Sequence, residues 1–215
     1  MFTSRSSILA TVATLAAGAA LGFIAPTLEA SGASGFRIAH LVLAAGWSWA
    51  ALAFCVGLSH KSRFKSASLA PASLISGVVA YYVTKLEQGK FLEAVNLGDP
   101  SQGTQVYWAG FASKTVGWCV AAAFLGFFLG LAGNLARKQG FRSLPFQVLI
   151  PLVAIVETTM RLRAEASLQG ELASTVWSIT RLGAVAVIVA LVGRVMIIGF
   201  NRPPRRSEGT LANRR

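Results

Sequence analysis

Charge is scarce in this chain, and acidic charge most of all. Its 215 residues include 8 Asp and Glu, 2 His and 2 Cys, and charged residues make up only 13%. Soluble domains carry about a quarter, so a water-soluble globular domain is a poor reading. Cys55 and Cys119 each sit in an apolar run. They read as small packing residues rather than a disulfide or a metal pair. No HExxH, CxxC, GxSxG or paired Asp/Glu spacing occurs, and no Gly-rich turn follows a strand to cradle a phosphate. These absences argue against an enzyme, a metal centre or a cofactor; none is expected. The net charge of +12 does not point to nucleic acid either, because the basic residues lie in short clusters between apolar runs. That is the pattern of membrane orientation.

What the chain has in quantity is oil. It is 54% hydrophobic with a mean hydropathy of +0.59. A span needs about 20 apolar residues to cross roughly 30 Å of hydrocarbon. The reading is an all-α bundle of six transmembrane helices over residues 1–200, followed by a basic tail, 201–215, expected to be disordered. The first span is the uncharged run Ile8–Ala25, with Gly18 and Gly22 as a close-approach face. A cleaved secretory signal with its cut near Ala30–Ser34 is the alternative. A loop follows from Pro26 to Gly35. Ile38–Leu58 is the second span, and Leu69–Val83 the third, with Pro71 in its first turn and Tyr81 and Tyr82 as an interfacial belt. Lys85 to Tyr107 is the longest connection, with helix expected over Leu86–Val95 as a continuation of the third span. Trp108–Leu135 is the fourth span, with Gly126 and Gly130 at GxxxG spacing. Leu144–Arg163 holds the fifth, where Pro151 predicts a kink or a neighbour that takes up the freed carbonyl. Leu172–Phe200 is the sixth.

Lysine and arginine sort the two sides. One side carries Arg5, the turn of Lys61, Arg63 and Lys65, the turn of Arg137, Lys138 and Arg142, and five tail arginines; the split is 12 against 6. The richer side is expected to be cytoplasmic, which puts both termini inside and requires an even number of spans. The two basic turns resemble each other, Lys61-Ser-Arg-Phe64-Lys65-Ser66 against Lys138-Gln-Gly-Phe141-Arg142-Ser143. Two turns obeying the same charge rule explain this as well as a repeat does. The six turn cations read as membrane-surface anchors.

The segments GWSWAALAFCVGL (Gly46 to Leu58), ASLISGVVAYYVTK (Ala72 to Lys85) and YWAGFASKTVGWCVAAAFLGFFLGLAG (Tyr107 to Gly133), together with the Glu157 helix, carry a resemblance. Over most of its length, the tail excluded, the chain resembles the actinobacterial integral membrane proteins grouped as domain of unknown function 6518. The resemblance implies a bacterial plasma membrane, no assigned activity and no known cofactor.

Glu157 is the one acidic residue placed inside a span. An intramembrane charge is costly and tends to find a partner or a wet cavity. The topology puts Glu157, Lys114, Arg181 and His40 at similar depth in the outer half of the bilayer, and Glu157 is expected to pair with Lys114 or Arg181. An i,i+4 pair with Arg161 at the interface is the alternative. Arg194 anchors the last span. Trp47, Trp49, Trp118, Phe124, Phe127 and Phe128 read as packing or lipid contact. Two functions remain: a non-enzymatic membrane component that meets lipid, copies of itself or a membrane partner, and a small permease with Glu157 and Lys114 as its polar site.

Overall fold

The computed structural model describes residues 2–31, 33–96, 103–138 and 140–200; the basic tail and Asp99 lie outside this set. Helices dominate. The order is α1 (Phe2–Ala30), α2 (Ser34–Leu43), α3 (Gly46–Ser59), α4 (Arg63–Glu87), β1 (Leu92–Ala94), β2 (Thr104–Val106), α5 (Trp108–Ala136), α6 (Leu144–Gln147), α7 (Leu149–Ala164), α8 (Ala166–Gln169) and α9 (Glu171–Phe200). Five helical stretches are long and apolar enough to cross a membrane, or six if the bent pair α2–α3 counts as one. Helices suit that medium because they satisfy their backbone groups internally. This is a membrane-embedded helical protein.

Four boundaries differ from the sequence reading, each for a local reason. α1 runs through Pro26 to Ala30. The Ala25 and Pro26 carbonyls accept bonds from His40 Nδ1 (2.7 Å) and Gln88 Nε2 (3.1 Å). α4 begins at Arg63, on a Ser62 N-cap, so Pro71 lies inside the helix rather than in its first turn. The disturbance expected from Pro151 appears as an interruption at Val148, within the candidate span Phe141–Ala164. Pro151 sits in the first turn of α7, where a missing N–H is harmless, and its ring is incompatible with a helical Gln147 carbonyl four residues back. Hence α6 stops at Gln147. Finally, Leu86–Val95 is not a continuing helix. α4 ends at Glu87, Gly89 turns with φ 72°, and a short antiparallel hairpin pairs Leu92 with Val106, Glu93 with Gln105 and Ala94 with Thr104. The fold is therefore helical with one small hairpin.

Two ends can be recognised from the contacts. At one end Asn134 donates to the His60 carbonyl (2.7 Å) and to Ser66 Oγ (3.1 Å), joining the two basic turns. Lys61, Arg63, Lys65, Arg137, Lys138 and Arg142 are all exposed there, as are Phe64 and Phe141. At the other end Lys85 meets Glu29 at 3.5 Å and Arg37 donates to the Gln169 carbonyl at 3.0 Å, next to the hairpin.

Small residues set the packing of α1, α3, α4 and α5. A methyl group on Gly18 would lie 1.9 Å from the Ser73 carbonyl oxygen, and one on Gly22 2.0 Å from that of Gly77. Gly57 and Gly130 approach equally closely between α3 and α5, and Gly126 lies against Pro71 of α4. Such backbone contact is the membrane substitute for a hydrophobic driving force. Ala53, Val56, Ala70, Leu74, Val78 and Ala122 form the core of this group. α7 and α9 form a second pair, attached to the first through α3 and α2.

Candidate functional site

The bent pair α2–α3 breaks at Ala44 and Ala45, where the two helices meet at 58°. A break between helices releases backbone donors and acceptors that an apolar medium cannot satisfy. Several of them are taken up. Ser48 Oγ donates to the Val42 carbonyl at 2.5 Å, and Ala44 N to the His40 carbonyl at 2.8 Å. The Gly46 and Trp47 N–H groups, the first of α3, donate to the two oxygens of Glu157 at 2.9 and 2.7 Å. A carboxylate is favoured at a helix N-terminus by the partial positive charge of the free N–H groups. Glu157 is thus the cap of a half-helix, supplied from α7.

Its ionic partner is Arg161, one turn along the same helix, with Nε 3.0 Å from Glu157 Oε1. Arg161 also reaches Glu165 Oε2 at 3.4 Å and lies 5.8 Å from the centre of the Trp177 ring of α9. The expected pairing with Lys114 or Arg181 is not found. Lys114 is exposed and stands over the Phe91 ring at 5.7 Å. Arg181 is half-buried and has no ion-pair partner among the described residues. The i,i+4 geometry wins because it needs no cooperation from another helix. His40 does come close to the group, on the wall of a cavity it shares with Arg161.

Two cavities flank the break. One, of 480 Å³, lies between α3, α4, α5 and α7 and is mostly apolar. Trp49, Tyr81, Tyr82, Leu74, Val78 and Trp118 line it, and Glu157 and Arg161 form its charged edge. Its size falls in the range of small-molecule sites, about 300–1,000 Å³. The other, of 310 Å³, is polar and is lined by Glu29, Arg37, His40, Arg161 and Gln169 among others. Ala44 and Arg161 belong to both walls. Tyr81 and Tyr82, anticipated as an interfacial belt, continue a run of ring contacts from the cavity to the hairpin. Trp49–Tyr81, Tyr81–Tyr82, Tyr82–Phe91 and Phe91–Phe111 have centres 5.4 to 6.1 Å apart. Trp49 and Trp118, read from sequence as packing or lipid contact, line the cavity as well.

The arrangement can bind but offers little obvious chemistry. Glu157 accepts from three donors and is held in place by them. Cys55 and Cys119 are free thiols on different helices. Among the described residues no three His, Cys, Asp or Glu side chains gather as a metal site. Two contributors escaped the sequence reading: the backbone N–H groups of Gly46 and Trp47, which carry no side-chain signature, and Arg37, which looked like a loop charge. A hint lay in Gly46-Trp47-Ser48, a glycine and a hydroxyl at adjoining turns, but it does not identify a break by itself.

Comparison with family models, with curated proteins and with solved structures finds no match. What fold and site define is a class: a helical protein with five or six helices apolar and long enough to span a membrane, a sharply bent helix pair and a cavity beside the bend.

Proposed function

We propose that this chain is a six-span, non-enzymatic protein of a bacterial plasma membrane, with both termini cytoplasmic, that holds a small amphipathic molecule beside the break in its second span. The carrying observation is the apolar cavity of 480 Å³ with one charged edge, adjoining a polar cavity of 310 Å³. The cavity is open to its surroundings rather than a sealed void, so a guest can enter it, and bare apolar walls would forfeit the contact energy that a guest supplies. The Glu157–Arg161 pair serves in this reading as a fastening that keeps the break open, and the surrounding aromatic rings hold the guest. The basic turns and tail sit against anionic cytoplasmic lipid, each cation near the surface contributing about 1 kcal/mol.

A permease is the second reading, favoured by the discontinuous span, a recurrent feature of transporter sites. It rests on Glu157 and the two cavities, without Lys114.

The test is thermal unfolding of the full chain in detergent, with and without fractionated membrane lipid. A ligand at a hundredfold excess over Kd stabilises by about 2.7 kcal/mol. Ala121→Phe, which fills the cavity from α5, is expected to abolish the shift while leaving the fold intact. No stabilising fraction, or a shift that Ala121→Phe and Ala50→Leu both leave unchanged, would overturn the reading.

A further inference from the structure

We infer that the guest is a single-chain amphiphile with an anionic head, of the fatty-acid kind, its head on Arg37 beside Arg161 and its chain passing Ala44 into the apolar cavity. This rests on the binding reading above and names its ligand class.

The charge of the polar cavity decides the sign of the head. Glu29 is the one carboxylate on its wall, and Lys85 engages it at 3.5 Å. Arg161 is matched by Glu157 and Glu165. Among the described residues Arg37 donates to the neutral Gln169 carbonyl at 3.0 Å and has no ion-pair partner, and its remaining donors can form the planar fork that suits a carboxylate. His40 Nδ1 lies 2.7 Å from the Ala25 carbonyl, which can only accept, so Nδ1 carries hydrogen, the Nε2 of the neutral ring is an acceptor, and His40 is a wall of the cavity rather than a contact for a carboxylate. A cationic head in the same place would meet the Arg37 guanidinium.

The apolar cavity decides the tail. Leu74, Val78, Leu125 and Leu129 offer alkyl contact, with Trp49 and Trp118 as flat walls. Between the two cavities the shared residues are Arg161 and Ala44. A methyl group is the thinnest barrier a side chain other than glycine can make.

The experiment uses the full chain in detergent and a long-chain fatty acid with a diazirine near its methyl end. Photolabelling is expected on Val78, Leu125 or Leu129. Unlabelled fatty acid should compete at least tenfold better than the alcohol or the trimethylammonium compound of equal chain length. Arg37→Gln should reduce the acid-over-alcohol preference to about twofold without changing competition by the alcohol, and Arg37→Lys should restore part of it. Ala44→Leu should block cavity labelling. If acid and alcohol compete equally in the wild type, or the cation competes best, the anionic head is overturned and the cavity reading stands. If the cavity is not labelled although a lipid fraction stabilises the protein in an Ala121-dependent way, the fatty-acid chemistry falls alone. If neither effect is seen, both proposals fall.

Discussion

The bundle is held together by two different kinds of contact. In α1, α3, α4 and α5, glycine faces let backbones touch, as at Gly18 against Ser73 and Gly57 against Gly130. The α7–α9 pair is joined to them through a polar fastening, Glu157 on the N–H groups of Gly46 and Trp47. The first kind is dry and tolerates no added atom. The second is directional, about a quarter open to its surroundings by side-chain exposure (21% for Glu157, 31% for Arg161), and has cavities on both sides. Packing energy depends on many small contacts and fails when two surfaces are pushed apart. A few hydrogen bonds can instead hold two bodies together with space between them. The larger cavity lies where the two kinds of contact meet, with α3, α4 and α5 as its apolar walls and Glu157 and Arg161 of α7 as its edge.

The largest effect should come from breaking the dry half. Gly18→Leu or Gly22→Leu must displace a backbone carbonyl, not a flexible side chain, so the cost should exceed the roughly 1–3 kcal/mol usual for overpacking. Loss of monodisperse protein on size-exclusion chromatography checks this; normal yield and melting would show that α1 does not pack on α4. Breaking the fastening should cost less. Glu157→Ala leaves two N–H groups in the break without acceptors, at about 2–4 kcal/mol in total, whereas Glu157→Gln keeps an acceptor and loses the ion pair, at about 1–2 kcal/mol. Melting in detergent orders the two variants, and equal stability of both with wild type would remove the capping role. Gly46→Ala sharpens the same point on a finer scale. Its methyl would sit 3.2 Å from Glu157 Oε2, so a loss of about 1 kcal/mol is expected. The smallest effect should be Lys114→Ala, within about 0.5 kcal/mol, since the side chain is exposed and touches only the face of Phe91. A loss as large as that of Glu157→Gln would restore Lys114 to the site.

Residue chemistry alone disclosed a good part of the site and little of its geometry. Glu157 stood out because a carboxylate in an apolar run is costly wherever it lies. Counting depth along the helices put His40 at the same level, and His40 shares a cavity wall with Arg161 rather than with Glu157 itself. The partner of Glu157 did not follow from that count, because depth says nothing about which way a side chain points around a helix axis, and Arg161 was reachable without any tertiary contact. The hairpin between α4 and α5 was missed for a related reason: three-residue strands such as Leu92–Ala94 are too short for alternation to be read.

Composition and the order of apolar runs determined the medium, the helical class and the glycine faces. These depend on the solvent and on spacing along one helix, both properties of the chain itself. The break at Ala44, the acceptor that Glu157 provides for α3 and the two cavities were decided only when helices met. A backbone N–H has the same identity in every residue but proline, and what satisfies it depends on which distant side chain arrives.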